Sequence, residues 1–240
     1  SARRASPRPP RSTASAAADV CKRQVLNDAA PSRYLSDLEP VTGTGATVAA
    51  VLILIAAATK SAQVPFHIWL PGAMKAPTPV SAYLHAAAMV KAGIYLMLLF
   101  SPALGGTIVW QSILISSGLL TAVMGAIFAM RRFDLKEIMA YSTVSQLGFI
   151  VAVIGIGTPA ALATAALYTL DHALFKSSLF MIVGVIERLA GTRDIRLLRG
   201  VWARMPVTFV TTLLAGSVPY SHLPAHATGR TPVCRLPLEK

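Results

Sequence analysis

The sequence predicts an all-α membrane protein: a multi-pass transmembrane helix bundle with one proline-broken helix, flanked by irregular termini. Three observations lead there. Hydrophobic residues make up 54% of the 240 residues, and mean hydropathy is +0.59, well above that of an ordinary soluble domain. The apolar residues gather into blocks close to the roughly 20 residues a helix needs to cross a bilayer. Charged residues, 13% of the chain, fall mostly between those blocks or in the ends.

Residues 1–40 are different material. The run SARRASPRPPRSTASAAA is rich in Arg, Pro, Ser and Ala and has no apolar period, which predicts a disordered basic segment. It lacks the apolar core of a secretory signal. Residues 41–216 carry the predicted transmembrane domain. Its first span is Gly43–Thr59, closed by Lys60. Pro65 then interrupts the helix, because proline removes one backbone hydrogen bond and crowds the carbonyl four residues back. That frees the carbonyl of Ser61, beside the Lys60 amine. A break at membrane depth is tolerated only where it faces protein or a wet cavity. VPFHIWLPGAM is then a short second half-helix, ended by Pro71 and Gly72.

Thr78-Pro79 opens the span Pro79–Phe100, with proline in a favourable first-turn position. Thr107–Met130 follows and stops at Arg131-Arg132. Asp134 and Glu137 have capping-box spacing and begin Leu135–Ile156. GIGTP is a turn, and Pro159–Ile186 runs into Glu187 and Arg188, which read as a helix end. A sixth block, Pro206–Gly216, is too short to span. Residues 217–240, with four prolines and no period, read as an irregular, non-native tail or a mis-read end.

The net charge of +12 invites a nucleic-acid reading. The cations instead cluster in the first forty residues and in loops beside apolar blocks, the usual orientation signal, with no aromatic-interleaved basic patch. No nucleic-acid partner is expected. Arg131, Arg132 and Lys136 share a side with Arg188, Arg193, Arg196, Arg199 and Arg204, so that side is predicted to be cytoplasmic. Tracing back puts the arginine-rich first segment outside, so it is expected to be foreign to this topology or to lack a preceding span. Cys21 and Cys234 lie in the flanks and have neither metal-ligand spacing nor support as a disulfide.

Ionisable groups inside the apolar blocks are the functional signal, because they are expensive there. Lys60, His85, His172 and Lys176 are the candidates. Lysine loses its charge more easily when buried beside another cation. Histidine titrates near neutrality and can relay a proton through its two nitrogens. His172 and Lys176 stand at i and i+4, on one helical face. The expectation is a lateral proton relay at mid-membrane, joined by water, with Ser142, Thr143, Ser145 and Gln146 as polar support and Asp171 as a partner for His172. Against it, a lone helical histidine is more often a packing residue, and a lysine near a span end snorkels. Lys91 lies on a different face from His85 and its role stays open. For His67, ahead of Trp69, an interfacial role is as good as a functional one.

Three blocks carry a family resemblance: KSAQVPFHIWLPGAMKAPTPVSAYLHAAAMVKAGIYL, DLKEIMAYSTVSQLGFI and HALFKSSLFMIVGVIERLAGTRDIRLL. Over Tyr34 to Ala215 the chain resembles the antiporter-like proton-translocating membrane subunits. The detail is most similar to the A-type branch of the Mrp-type multisubunit Na+/H+ antiporters, and the L-type branch of respiratory complex I is the alternative.

The resemblance implies a helix bundle with discontinuous helices and a central hydrophilic axis. Lys60 matches the family's central lysine, Pro65 stands in its broken helix, His85 matches the next helix's histidine, and His172 and Lys176 match a later pair. Tyr168 stands where complex I relatives often have histidine, and tyrosine is a poor relay near neutral pH. A glutamate that the family pairs with the central lysine has no counterpart upstream of Lys60, where Asp37 and Glu39 precede the first span. The second broken helix is replaced by 217–240. Function by resemblance is proton translocation coupled to Na+ efflux, in the cell membrane with other subunits as partners. No cofactor, metal or bond-making chemistry is implied. A non-transporting, truncated membrane polypeptide is the reading from a different class.

Overall fold

A computed structural model describes residues 44–83, 88–198 and 205–214. The basic segment 1–40, the tail 217–240, His85, Arg199 and Arg204 lie outside the described residues. Among those described, the regular elements are helical, apart from an isolated antiparallel bridge between Asp134 and Asp194. The order is α1 (Thr44–Lys60), a 3-10 turn (Phe66–Ile68), α2 (Trp69–Gly72), a second 3-10 turn (Ala73–Lys75), α3 (Thr78–Ala82), α4 (Met89–Leu104), α5 (Ile108–Met130), α6 (Leu135–Gly155) and α7 (Pro159–Ala190). Residues 206–214 are also helical.

α5 and α6 are long and apolar enough to cross a membrane, with mean hydropathies of 2.1 and 1.7 over their best windows. Thr47–Lys60 and α4 are apolar but shorter. α7 has ample length at 32 residues but carries Asp171, His172 and Lys176 in its middle. Only 22% of α5's apolar window is buried, and Ile108, Leu119, Leu120, Val123 and Met130 face outward. Such a helix, apolar all round, suits lipid on its open side.

The break after Lys60 is present. Ala62 adopts a left-handed backbone (φ 51°), and the Val64–Pro65 bond is cis. The Ser61 carbonyl, expected to be free, instead accepts from the Gln63 side-chain amide at 3.2 Å. The segment is pinned to α5 where the Val64 N–H donates to Thr121 Oγ1 at 3.1 Å. The half-helix is not ended by Pro71 and Gly72: helical turns continue to Lys75. Pro71 sits in the first turn of α2, where a backbone donor has no intrahelical partner to lose.

The span expected over Pro79–Phe100 is described in two pieces, α3 and α4, with residues 84–87 between them outside the described residues. Ala88 leaves helical values (φ −122°, ψ −60°), and its N–H reaches the Tyr83 carbonyl five residues back, the reach of a π-turn. The two pieces have different close neighbours. A Cβ on Gly184 would lie 2.6 Å from Thr78 Cγ2, so α3 is seated hard on α7. A Cβ on Gly93 would overlap Ser61 Oγ and the Ala57 carbonyl, so α4 is seated on α1.

Asp134 caps α6 as expected, its Oδ1 accepting from the Lys136 N–H at 2.8 Å. Glu137 does not complete a capping box; it pairs with Arg132 at 3.4 Å. Thr158 caps α7 through the Ala161 N–H, and Gly191 (φ 68°) ends it in the left-handed conformation that glycine adopts without strain. The main core gathers α1, α4, α5 and α6 around Ile53, Ile94, Trp110, Leu114 and Leu147.

Candidate functional site

α6 and α7 run antiparallel and present their polar residues to one another. His172 is fully buried and Lys176 is 2% exposed. Burial of an uncompensated amine is costly, so the bonds that receive it matter. Lys176 Nζ donates to Ser142 Oγ at 2.5 Å, and Ser142 in turn donates to the Met139 carbonyl at 3.0 Å. The ammonium also lies 5.8 Å from the centre of the Phe175 ring, which packs edge-on to His172 at 5.4 Å. Both His172 ring nitrogens are buried without a protein hydrogen-bond partner.

The structure therefore brings together His172, Lys176 and Ser142. Ser145 is turned elsewhere, donating to the Ala122 carbonyl of α5 at 2.8 Å. Gln146 holds a buried, unpartnered Oε1. Thr143 is spent on the Met139 carbonyl at 2.8 Å. Tyr168, one turn before His172, packs edge-on to Phe149 at 5.9 Å. Asp171 is half-buried beside His172 in the chain.

Lys60 is half-buried at the end of α1, and no ion pair or hydrogen bond among the described residues ties it to the α7 pair. Near it, the broken segment buries Ser61 Oγ, Gln63 Oε1 and His67 Nδ1 without protein partners. His67 stacks on Phe128 at 6.1 Å, so its ring is placed by α5. His85 lies outside the described residues. Buried polar atoms in native structures are nearly always satisfied. Unpartnered atoms along both the broken segment and the α6–α7 seam mark an interior suited to water.

A second polar cluster sits at the basic end. Lys136, 3% exposed, pairs with Glu187 at 2.9 Å. Thr78 donates to the same carboxylate at 3.1 Å, and Arg193 approaches both Glu187 (3.7 Å) and Asp134 (3.4 Å). Glu187 is thus more than a helix end: it ties α3, α6 and the post-α7 loop together. Helical spacing held the signal, since Glu187 follows Lys176 by eleven residues and returns to its face. Among the described residues, no group of three or more metal-ligating side chains forms.

Residues 33–227 match the family model described as NADH:quinone oxidoreductase/Mrp antiporter, TM. A probable K(+)/H(+) antiporter A/B subunit from Rhizobium meliloti is 50% identical over 167 residues, which is 70% of this chain and 17% of that relative. The A-type subunit of a Na(+)/H(+) antiporter from Bacillus subtilis is 50% identical over 177 residues, 69% of this chain and 22% of that relative. The chain thus spans about a fifth of the length of the curated relatives it matches. Among solved structures, a chain of the Mrp complex from Dietzia sp. superposes with a TM-score of 0.76 at 53% identity, covering 84% of this chain and 22% of that one. A chain of the membrane-bound sulfane sulfur reductase, an archaeal respiratory membrane complex, gives 0.66 at 28% identity, covering 75% and 39%.

Proposed function

Because the chain belongs to the NADH:quinone oxidoreductase/Mrp antiporter transmembrane family, we propose that it is the proton-conducting part of a multisubunit Na+/H+ antiporter. It works in the cell membrane with other subunits of that complex, its basic loops toward the cytoplasm. Protons move along Lys60, His85, His172 and Lys176, and the movement is coupled to Na+ efflux. The observation that carries this reading is the α6–α7 seam, where a buried lysine rests on a serine hydroxyl, one helical turn from a buried imidazole.

The chemistry follows from the placement. Lys176 holds its proton while its amine is bonded to Ser142. His172 accepts at one nitrogen and releases at the other, which a ring free of protein partners can do in either direction. Lys176 stands one helical turn from His172, so a proton on the amine disfavours a second on the imidazole and favours handing it on. The tie from Thr121 to the unwound Val64 sets the break after Lys60 against α5. Sodium is favoured as the coupled ion by the relatives named for it, and potassium by the Rhizobium relative.

The test is antiport in proteoliposomes holding the assembled complex. Lys176→Ala should abolish Na+-driven proton movement while assembly stays intact, and Lys60→Ala should do the same. His172→Ala should reduce it strongly. Undiminished transport by Lys176→Ala refutes the relay, and a K+ preference in the wild type corrects the ion.

A further inference from the structure

Two polar rungs join α6 to α7: Lys176 to Ser142, and Glu187 to Lys136. Along α7 they stand about 16 Å apart at 1.5 Å per residue. Along the chain between them lies a separate apolar cluster of Met74, Ala82, Ala140 and Phe180, with Met139 packed against it. It is distinct from the main core, and Phe180 is fully buried within it. Four pieces of chain converge there: the turn after α2, α3, α6 and α7. On the far side, at the basic end, a cavity of about 420 Å³ is lined by Thr78, Lys136, Glu187 and Arg188, with Met181 and Val185 on its wall.

We propose that the Lys136–Glu187 cavity is the aqueous port through which protons reach Lys176 from the basic face, closed by a dry plug centred on Phe180. This rests on the relay reading above. The port is polar: its lining carries the Glu187 carboxylate, held in place by donors from Thr78, Lys136 and Arg193, together with Lys136 and Arg188, groups that hold water. The plug suits a gate, since an apolar constriction blocks ions by excluding water and conducts once wetted. Its methionines are unbranched and adapt easily to a shifted neighbour.

α3 links the two. It is a five-residue helix that follows Pro77. Thr78 at its start bonds Glu187 in the port, and Ala82 at its end is part of the plug. A shift of α3 therefore loosens the carboxylate and thins the apolar layer in one motion. Its seat on Gly184 leaves no room for a side chain there, so it closes tightly.

The experiment is passive proton flux into proteoliposomes of the full complex, driven by an imposed pH gradient without Na+. Phe180→Ala should raise the leak about tenfold or more, whereas Phe180→Leu, which keeps the layer apolar, should leak far less. Adding Lys176→Ala to Phe180→Ala should return the leak to the wild-type level. An assembled Phe180→Ala complex with a wild-type leak overturns the plug, and a leak that persists in the double variant overturns the route. Cysteine labelling from the basic side gives a readout that does not depend on Phe180. Val185→Cys should react with an impermeant maleimide and Ala140→Cys should not; equal reactivity overturns the plug. Lys176→Ala alone reports on the relay, so failure of the gate is distinguishable from failure of the relay.

Discussion

Gly148→Ala tests whether the α5–α6 crossing positions the site. A Cβ on Gly148 would stand 2.6 Å from the Ala122 backbone nitrogen, 2.7 Å from the Gly118 carbonyl oxygen and 2.9 Å from Thr121 Cβ. A Cβ on Gly118 would meet Ala152 N at 2.6 Å and the Gly148 carbonyl at 2.7 Å. The obstacles are mostly backbone, so no rotamer relieves them. Ordinary contact begins at 3.4 Å, so the helices must part by about 0.8 Å. Overpacking of this kind costs about 1–3 kcal/mol, partly offset by the roughly 1 kcal/mol by which alanine favours a helix over glycine.

The net loss is therefore up to about 2 kcal/mol, a fall of about 4–8 °C in Tm at the scaling for a chain this size. The assay is thermal unfolding of the detergent-solubilised complex, read by size-exclusion fluorescence, with Gly45→Ala as control because nothing lies within 4 Å of that position. Gly118→Ala combined with Gly148→Ala should cost little more than either alone, since parting the helices once makes room for both methyl groups. Antiport should fall too, because Thr121, which anchors Val64 after the break, is among the atoms displaced. A double variant whose losses add, or a Gly148→Ala complex as stable as the control, refutes close backbone approach as the basis of this crossing.

Two further predictions concern the basic face. Asp134→Ala removes the α6 cap and a partner of Arg193, and should destabilise by about 1–2 kcal/mol; Asp134→Asn, which keeps a capping acceptor, should recover most of it in the same thermal assay. In the loop after α7, the hydrogen bonds from Arg196 hold the Asp194 carboxyl down at about 2. A depressed carboxylate contributes order above its ordinary range and loses it only as pH falls through the folded value. Hydrogen exchange over residues 191–197, corrected for intrinsic rate, should stay flat from about pH 8 to about pH 5, whereas Asp194→Asn should raise it throughout. Loosening of that loop in the wild type on mild acidification would contradict the pairing.

What could be read from the chain, and what could not, follows from the range of the forces involved. α5, α6 and α7 were legible because their signals are local: apolar length, Arg131-Arg132 as a stop and Asp134 as a cap, although α7 runs past the expected end at Ile186 to Ala190 and stops at Gly191. The break after Lys60 was legible through Pro65, but the left-handed turn at Ala62 and the Gln63 amide on the Ser61 carbonyl were not, since no local rule favours alanine there. The departure of Ala88 from helical values was not legible, and neither were the close seats that two glycines mark on either side of it, Gly93 against α1 and Gly184 against α3.

The same contrast holds at the site. His172 and Lys176 declared themselves by spacing on one helix. Ser142 was readable only as one of a polar cluster, because its bond to Lys176 crosses from α6 to α7. Glu187 was readable in part, by its return to the Lys176 face, but its partners come from α3 and α6. A charge at a helix end that collects donors from two other elements cannot be a mere terminator: Glu187 holds α3, α6 and the loop after α7 to one carboxylate at the basic end of the bundle.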